Sequence, residues 1–192
     1  GLGKSVITLT AIYDLMFDYL KVNKVLIIAP LRVARDTWPN EIKKWEHLKQ
    51  LDISVIIGTA AERKEALRKN TFLYSINREN VAWLVKYYEE HRLVWDFDMV
   101  VIDELSSFKS HKSMRFKALR KVRPKIKRIV GLTGTPSPNG LMDLWAEIGI
   151  LDMGERLGRF IGRYREAYFR AASMNPITGI VYKYEPREGA EE

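Results

Sequence analysis

The chain has 192 residues, 46% of them hydrophobic and 29% charged, with a formal charge of +8 from 32 Lys and Arg against 24 Asp and Glu. A chain this long can bury roughly 70% of its unfolded surface, so one folded domain with a real core is expected and bulk disorder is not. The lack of cysteine excludes a disulfide scaffold, thiolate zinc sites and a cysteine nucleophile, and leans towards a reducing compartment.

Apolar residues at Val6, Ile7, Leu9, Ile12, Leu15, Met16, Tyr19 and Leu20 predict a helix of about 16 residues. Lys24–Ala29 is a short β-branched run closed by Pro30, a fully buried strand by composition. A helix from Val33 to Leu48 follows, then a strand at Ile53–Ile57 closed by Gly58. Next come a helix near Glu62–Lys69, a strand at Thr71–Ile76 and a helix over Glu79–Glu90. Asp98–Ile102 and Arg128–Leu132 are two further strands, with a helix near Ser113–Lys121 between them. Five strands separated by helices predict an α/β fold with a doubly wound, mostly parallel sheet. Beyond Asn139 a helical pair is expected at Leu141–Leu151 and Glu155–Ala172, then a hairpin about Asn175–Gly179 and a polar tail from Glu185.

No apolar run approaches the ~20 residues that cross a bilayer, and Gly1-Leu2-Gly3-Lys4-Ser5 does not open a signal peptide. No membrane partner and a cytoplasmic location are therefore the expectations. His47, His91 and His111 lie too far apart for a local metal box. The positive balance favours a polyanionic partner, although many basic proteins have none.

Three short segments carry candidate chemistry. Gly3-Lys4-Ser5 runs straight into an amphipathic helix. Phosphate loops have this pattern: backbone N–H groups and a lysine hold phosphates while a hydroxyl ligates Mg²⁺. A glycine-rich chain end beside a helix would look the same, and the strand that should precede such a loop is not there. Met99–Ile102 delivers Asp103 and Glu104 at a strand's C-terminal tip, where open α/β sheets bind ligands. In phosphate-loop enzymes the aspartate holds Mg²⁺ and a neighbouring group orients the attacking water; a lone Asp-Glu is otherwise an acidic turn. Leu132-Thr133-Gly134-Thr135-Pro136 follows another strand, where Gly and Pro alone would mark a turn. All three would line one edge of the sheet.

The order of these segments resembles superfamily-two helicases. The likeness is carried by Ile28-Ala29-Pro30 with Trp38, Glu41 and Trp45, and by Thr133–Asn139 with Leu144-Trp145. It is nearest to the Swi/Snf-type DNA translocases, in the compact form found in phages and prophages. The resemblance spans about residues 1–170. It implies a RecA-like ATP-binding lobe at 1–152, lacking its first strand and cut within motif I. Residues 153–192 would be a helical extension and linker towards a second RecA-like lobe. Gly1, Leu2, Gly3, Lys4 and Ser5 would bind ATP, with Ser5 and Asp103 on Mg²⁺. Lys4, Asp103 and Glu104 would be catalytic, Glu104 activating water. Pro30, Leu31 and Arg32, and more loosely Ser75 and Asn77, would touch the backbone of duplex DNA. Thr133, Gly134 and Thr135 would couple nucleotide state to those contacts. Ser106 stands where the family usually has histidine. The second lobe would supply the arginine finger, so little ATPase is expected of this chain alone. An RNA helicase or restriction-enzyme motor, or a non-catalytic nucleic-acid-binding module, are the alternatives.

Bland readings fit the other features. The ten Lys and Arg between Lys109 and Arg128 suit a solvated helix face or, alternatively, phosphate contacts. Arg156, Arg159 and Arg163 fall at helical spacing as an exposed basic stripe, and Trp38, Trp45, Trp83 and Trp145 are expected in the core.

Overall fold

The computed structural model describes residues 3–135 and 140–190. Its centre is a parallel sheet of β1 (Val25–Ala29), β2 (Ile53–Ile56), β3 (Leu73–Asn77), β4 (Met99–Asp103) and β5 (Arg128–Leu132), in the order β2-β3-β1-β4-β5. Every β1 residue is buried, as is every β3 residue, because helices cover both sides. Side chains alternate across a strand, so β1 divides its apolar run between two cores. Val25, Ile27 and Ala29 meet Leu9, Ile12 and Met16 of α1 (Lys4–Tyr13) and the turn that follows it, and Trp38 and Ile42 of α2 (Trp38–Lys44). Leu26 and Ile28 face Ala66 of α3 (Ala60–Arg68), Leu84 of α4 (Val81–Glu90), Leu119 of α5 (Met114–Val122) and Ile150 of α6 (Leu144–Asp152). Each Val, Leu, Ile or Met side chain among these contributes about 1.5–3 kcal/mol by leaving water. The expected doubly wound parallel sheet is thus present, with all five strands near their predicted places.

Two predicted helices differ. The segment Val33–Leu48 is not one helix: a wide turn at Val33–Thr37, closed by the Trp38 N–H on the Val33 carbonyl, leads into α2, which ends at the extended residue Trp45. The second helix starts later and stops sooner than expected. Met153, Gly154 and Gly158 all take positive φ and break the chain after α6, so α7 covers only Ile161–Tyr168. Arg156 and Arg159 therefore lie in turns and share no helical stripe with Arg163. From Phe169 the chain becomes β6 (Phe169–Met174), antiparallel to β7 (Val181–Pro186). Pairing with β7 overrides the helix preference of Ala171 and Ala172, a tertiary effect outweighing local propensity. The hairpin about Asn175–Gly179 is present as expected.

The basic run also divides. Arg123 is buried and its guanidinium donates to the carbonyls of Ile150 (2.9 Å), Ile126 (3.0 Å) and Leu151. It thereby satisfies carbonyls at the C-terminal end of α6. Lys121 pairs with Glu89 at 3.2 Å and Lys109 with Asp143 at 3.8 Å.

Candidate nucleotide site

The C-terminal ends of β1, β3, β4 and β5 share one edge, because the parallel register sets Ala29 beside Asn77, Ile28 beside Ile102 and Asp103 beside Leu132. Beside this edge α1 begins. Gly3 precedes it at φ 72°, ψ 10°, the left-handed conformation that glycine adopts without steric cost. Among the described residues no side chain caps the helix, and uncapped first-turn N–H groups are what helix N-termini offer to anions. A cleft of about 340 Å³ opens there, lined by Gly3, Lys4, Ser5 and Val6 from α1, by Asp103 from β4, and by Thr37, Glu41, Lys44 and Trp45.

The chain thus brings Lys4, Ser5 and Asp103 to a single cleft across a sequence gap of about a hundred residues. Burial pushes the Asp103 carboxyl above the ordinary carboxylate range. The Trp38 indole N–H, the Lys4 ammonium and the Glu104 backbone N–H oppose this, while the Glu104 charge adds to it. The indole bond is direct, 3.0 Å from Trp38 Nε1 to Asp103 Oδ2.

Glu104 does not line the cleft. It takes φ 68°, ψ 70°, a left-handed conformation that costs a non-glycine residue about 1–3 kcal/mol and collects at functional sites. Its Oε1 accepts from Ser106 Oγ at 2.7 Å and from Thr133 Oγ1 at 3.1 Å. Thr133 Oγ1 accepts in turn from the Thr135 N–H at 3.1 Å. The turn after β4 and the Thr133–Thr135 segment after β5 are therefore joined through one carboxylate oxygen. Gly134 is exposed. Gly1, Leu2 and residues 136–139 lie outside the described residues.

The expected polymer-contacting residues separate into two groups. Leu31 and Arg32 are exposed and Pro30 is half-buried at the tip of β1. Ser75 is corrected: it is wholly buried and its hydroxyl donates to the Ala34 carbonyl at 2.7 Å, so it presents nothing to a polymer. Asn77 is buried too, its amide donating to Glu79 and its oxygen accepting from Asn80.

Sequence reasoning missed part of the cleft wall. Trp45 is 38% exposed and donates to Glu41 at 3.1 Å, rather than sitting in the core. The signal was available, because Thr37, Glu41, Lys44 and Trp45 stand at i, i+4, i+7 and i+8, one helical face. Glu147 was also missed. It lies 1% exposed in α6, and neither carboxylate oxygen has a hydrogen-bond partner among the described residues. Burial, with help from Asp143 and Glu104 and against Lys109, pushes it up to about 7.

Among the described residues no helix is long and apolar enough to cross a membrane. The chain is 42% identical over 181 residues to "Putative protein p41" of Acyrthosiphon pisum secondary endosymbiont phage 1, covering 91% of this chain and 38% of that protein. It is 32% identical over 186 residues to "Helicase ssl-1" of Caenorhabditis elegans, 94% of this chain and 7% of that one. Its fold is like that of the Sulfolobus solfataricus SWI2/SNF2 ATPase core solved with dsDNA, with a TM-score of 0.69 at 24% identity over 88% of this chain and 32% of the other. The chain spans well under half the length of these relatives. A family model described as the SNF2-related domain matches residues 1–155, and the chain belongs to that family.

Proposed function

We propose that this chain is the ATP-binding lobe of an ATP-dependent translocase on duplex DNA. The observation that carries the reading is the meeting of Lys4, Ser5 and Asp103 in one cleft at the start of α1. The N-terminal amides of α1 and the Lys4 ammonium would hold the triphosphate. The oxygen donors Ser5 and Asp103 fit a magnesium ion, a hard cation that takes one or two carboxylates beside phosphates and water. Bound there, magnesium would neutralise charge developing on the γ-phosphoryl group. Among the described residues no three His, Cys, Asp or Glu gather about one point, so its other ligands would come from phosphate and water.

The protein's part is to position and to move a proton. Glu104 would orient the attacking water once its Oε1 is released from Ser106 and Thr133. That release would tie hydrolysis to motion of the Thr133–Thr135 segment. Leu31 and Arg32 would rest on the DNA backbone, a contact that holds position without reading sequence. A second RecA-like lobe in the same polypeptide would bring an arginine finger, without which phosphoryl transfer is roughly 10³–10⁵ slower. The 192-residue chain alone would turn over little ATP.

ATP turnover by the full-length protein, measured with duplex DNA, with RNA and with neither, tests the reading. Duplex DNA should stimulate it, and Glu104→Gln should cut the stimulated rate by roughly 10²–10⁴ while leaving ATP bound. Stimulation by RNA alone would make it an RNA motor. Nucleic-acid binding with no turnover would make it a passive module.

A further inference from the structure

We propose that Trp38 is a positioning residue that aims the Asp103 carboxylate into the nucleotide cleft. The proposal rests on the reading of Asp103 as a holder of the nucleotide-bound cation. Asp103 closes β4, and unlike Met99–Ile102 it is only half-buried. Its side chain thus stands where burial no longer fixes its torsions. An aspartate there has several staggered settings, of which few would face the cleft.

The indole supplies what is missing. Trp38 Nε1 donates to Oδ2 at 3.0 Å, so that oxygen is tied to the protein interior and the carboxylate's remaining acceptor capacity is left to the cleft. The donor cannot swing away. Trp38 is 0% exposed and packed in the core with Leu9, Ile12, Ala34 and Ile42.

The local backbone explains how one short helix serves both core and cleft. The wide turn at Val33–Thr37 places one residue more in its ring than an α-helical turn would. An extra residue rotates everything that follows by about 100°. With that rotation Trp38 points inward to Asp103, while Thr37, Glu41, Lys44 and Trp45 form the cleft wall. Such wide turns occur often at functional sites.

Binding of Mn²⁺·ADP and of metal-free ADP by the full-length protein, read by electron paramagnetic resonance and by calorimetry, tests this without turnover. Trp38→Phe keeps a buried ring and removes the donor. Outer partners of metal ligands are worth roughly 10–100-fold in metal affinity. Mn²⁺·ADP should therefore weaken by that factor, while metal-free ADP binds as in the wild type. Because phenylalanine leaves a void, a second variant carries β-(3-benzothienyl)alanine at position 38, which keeps the indole shape but has no N–H. It should show the same selective loss. Unchanged Mn²⁺·ADP affinity in the benzothienyl protein overturns the proposal, whatever Trp38→Phe does, because packing rather than the donor is then what matters. If the wild type binds Mn²⁺·ADP and Asp103→Asn binds it equally well, the reading of Asp103 itself falls, and the role of Trp38 with it.

Discussion

Strand β1 and strand β6 show two ways in which this chain uses extended backbone. All five residues of β1 are buried, whereas β6 buries Phe169 and exposes the other five. β1 has neighbours on both edges and helices on both faces. β6 has β7 alone, and the pair meets the rest of the molecule mainly through Phe169 and Tyr184, near Tyr164. The difference bears on function. Parallel pairing sets Asp103 beside Leu132 of β5, and Ile102 just before it beside Ile28 of β1, and a site that relies on a carboxylate's placement needs that rigidity. The hairpin carries Met174, Ile177, Ile180 and Tyr182 in solvent, where no packing holds them. Substitutions should therefore be costly in the sheet region and nearly silent at the hairpin tip.

The largest effect is expected at the opposite end of the sheet from the site. Phe97 is fully buried and meets Trp95 and Tyr74 edge-on at 5.2 and 5.4 Å. Lys24 Nζ lies 4.7 Å from its ring centre while paired with Asp96 at 2.7 Å. Phe97→Ala should cost about 3–5 kcal/mol, seen as a fall in Tm of roughly 6–20 °C. A smaller fall would mean that the sheet is not the stiff part of the molecule.

Next comes a pH effect centred on Glu147. The fold raises this carboxyl from its usual 4.5 to about 7, so the folded protein holds its proton more tightly than the unfolded chain does. The stability this gives is complete below pH 4.5 and disappears as the pH rises through about 7, a change of about 3 kcal/mol. Glu147→Gln should flatten the stability curve between pH 5 and pH 8 and leave the variant the more stable protein at pH 8. Urea unfolding across that range is the measurement, and an unchanged slope would place the titrating group elsewhere.

A third change probes the site from within the sheet. A Cβ at Gly131 of β5 would stand 2.7 Å from Leu105 Cδ2, and Leu105 follows the strained Glu104. Gly131→Ala should destabilise by about 1–3 kcal/mol. It should also lower turnover more than it alters ATP binding, because the displaced turn holds Glu104 rather than Lys4. Equal losses in binding and turnover would show that the strain spreads through the whole edge.

The sequence read well wherever burial on both faces leaves a continuous apolar run. Lys24–Ala29 and Met99–Ile102 needed only length and β-branching to be recognised, and the strand-tip position of Asp103 and Glu104 followed from parallel topology. It read poorly where one stretch fits two patterns. Tyr164–Ala172 has helical spacing throughout, yet from Phe169 it pairs with a segment a dozen residues further on, and local periodicity carries no information about that partner. Trp38 failed differently. Its burial was expected, but a donor aimed at a residue 65 positions away leaves no mark on composition or spacing. Ser75 was misjudged because a hydroxyl near a strand tip reads the same whether it faces solvent or the Ala34 carbonyl.

The smallest effect is expected at Ile177, 92% exposed at the hairpin tip. The turn is held without its side chain. Asn175 Oδ1 accepts from the N–H groups of Ile177 (2.9 Å) and Thr178 (3.1 Å), and the Asn175 carbonyl accepts from Gly179 at 2.9 Å. Ile177→Ser should therefore change stability by no more than about 0.5 kcal/mol. Asn175→Ala, which strips two backbone donors of their acceptor, should cost about 1 kcal/mol. The order of the two variants matters more than either value, because solvent has already claimed the isoleucine while the asparagine organises the turn. A loss at Ile177 that exceeds the loss at Asn175 would mean that the tip is covered in solution, and the contrast between sheet and hairpin would then be one between two buried surfaces.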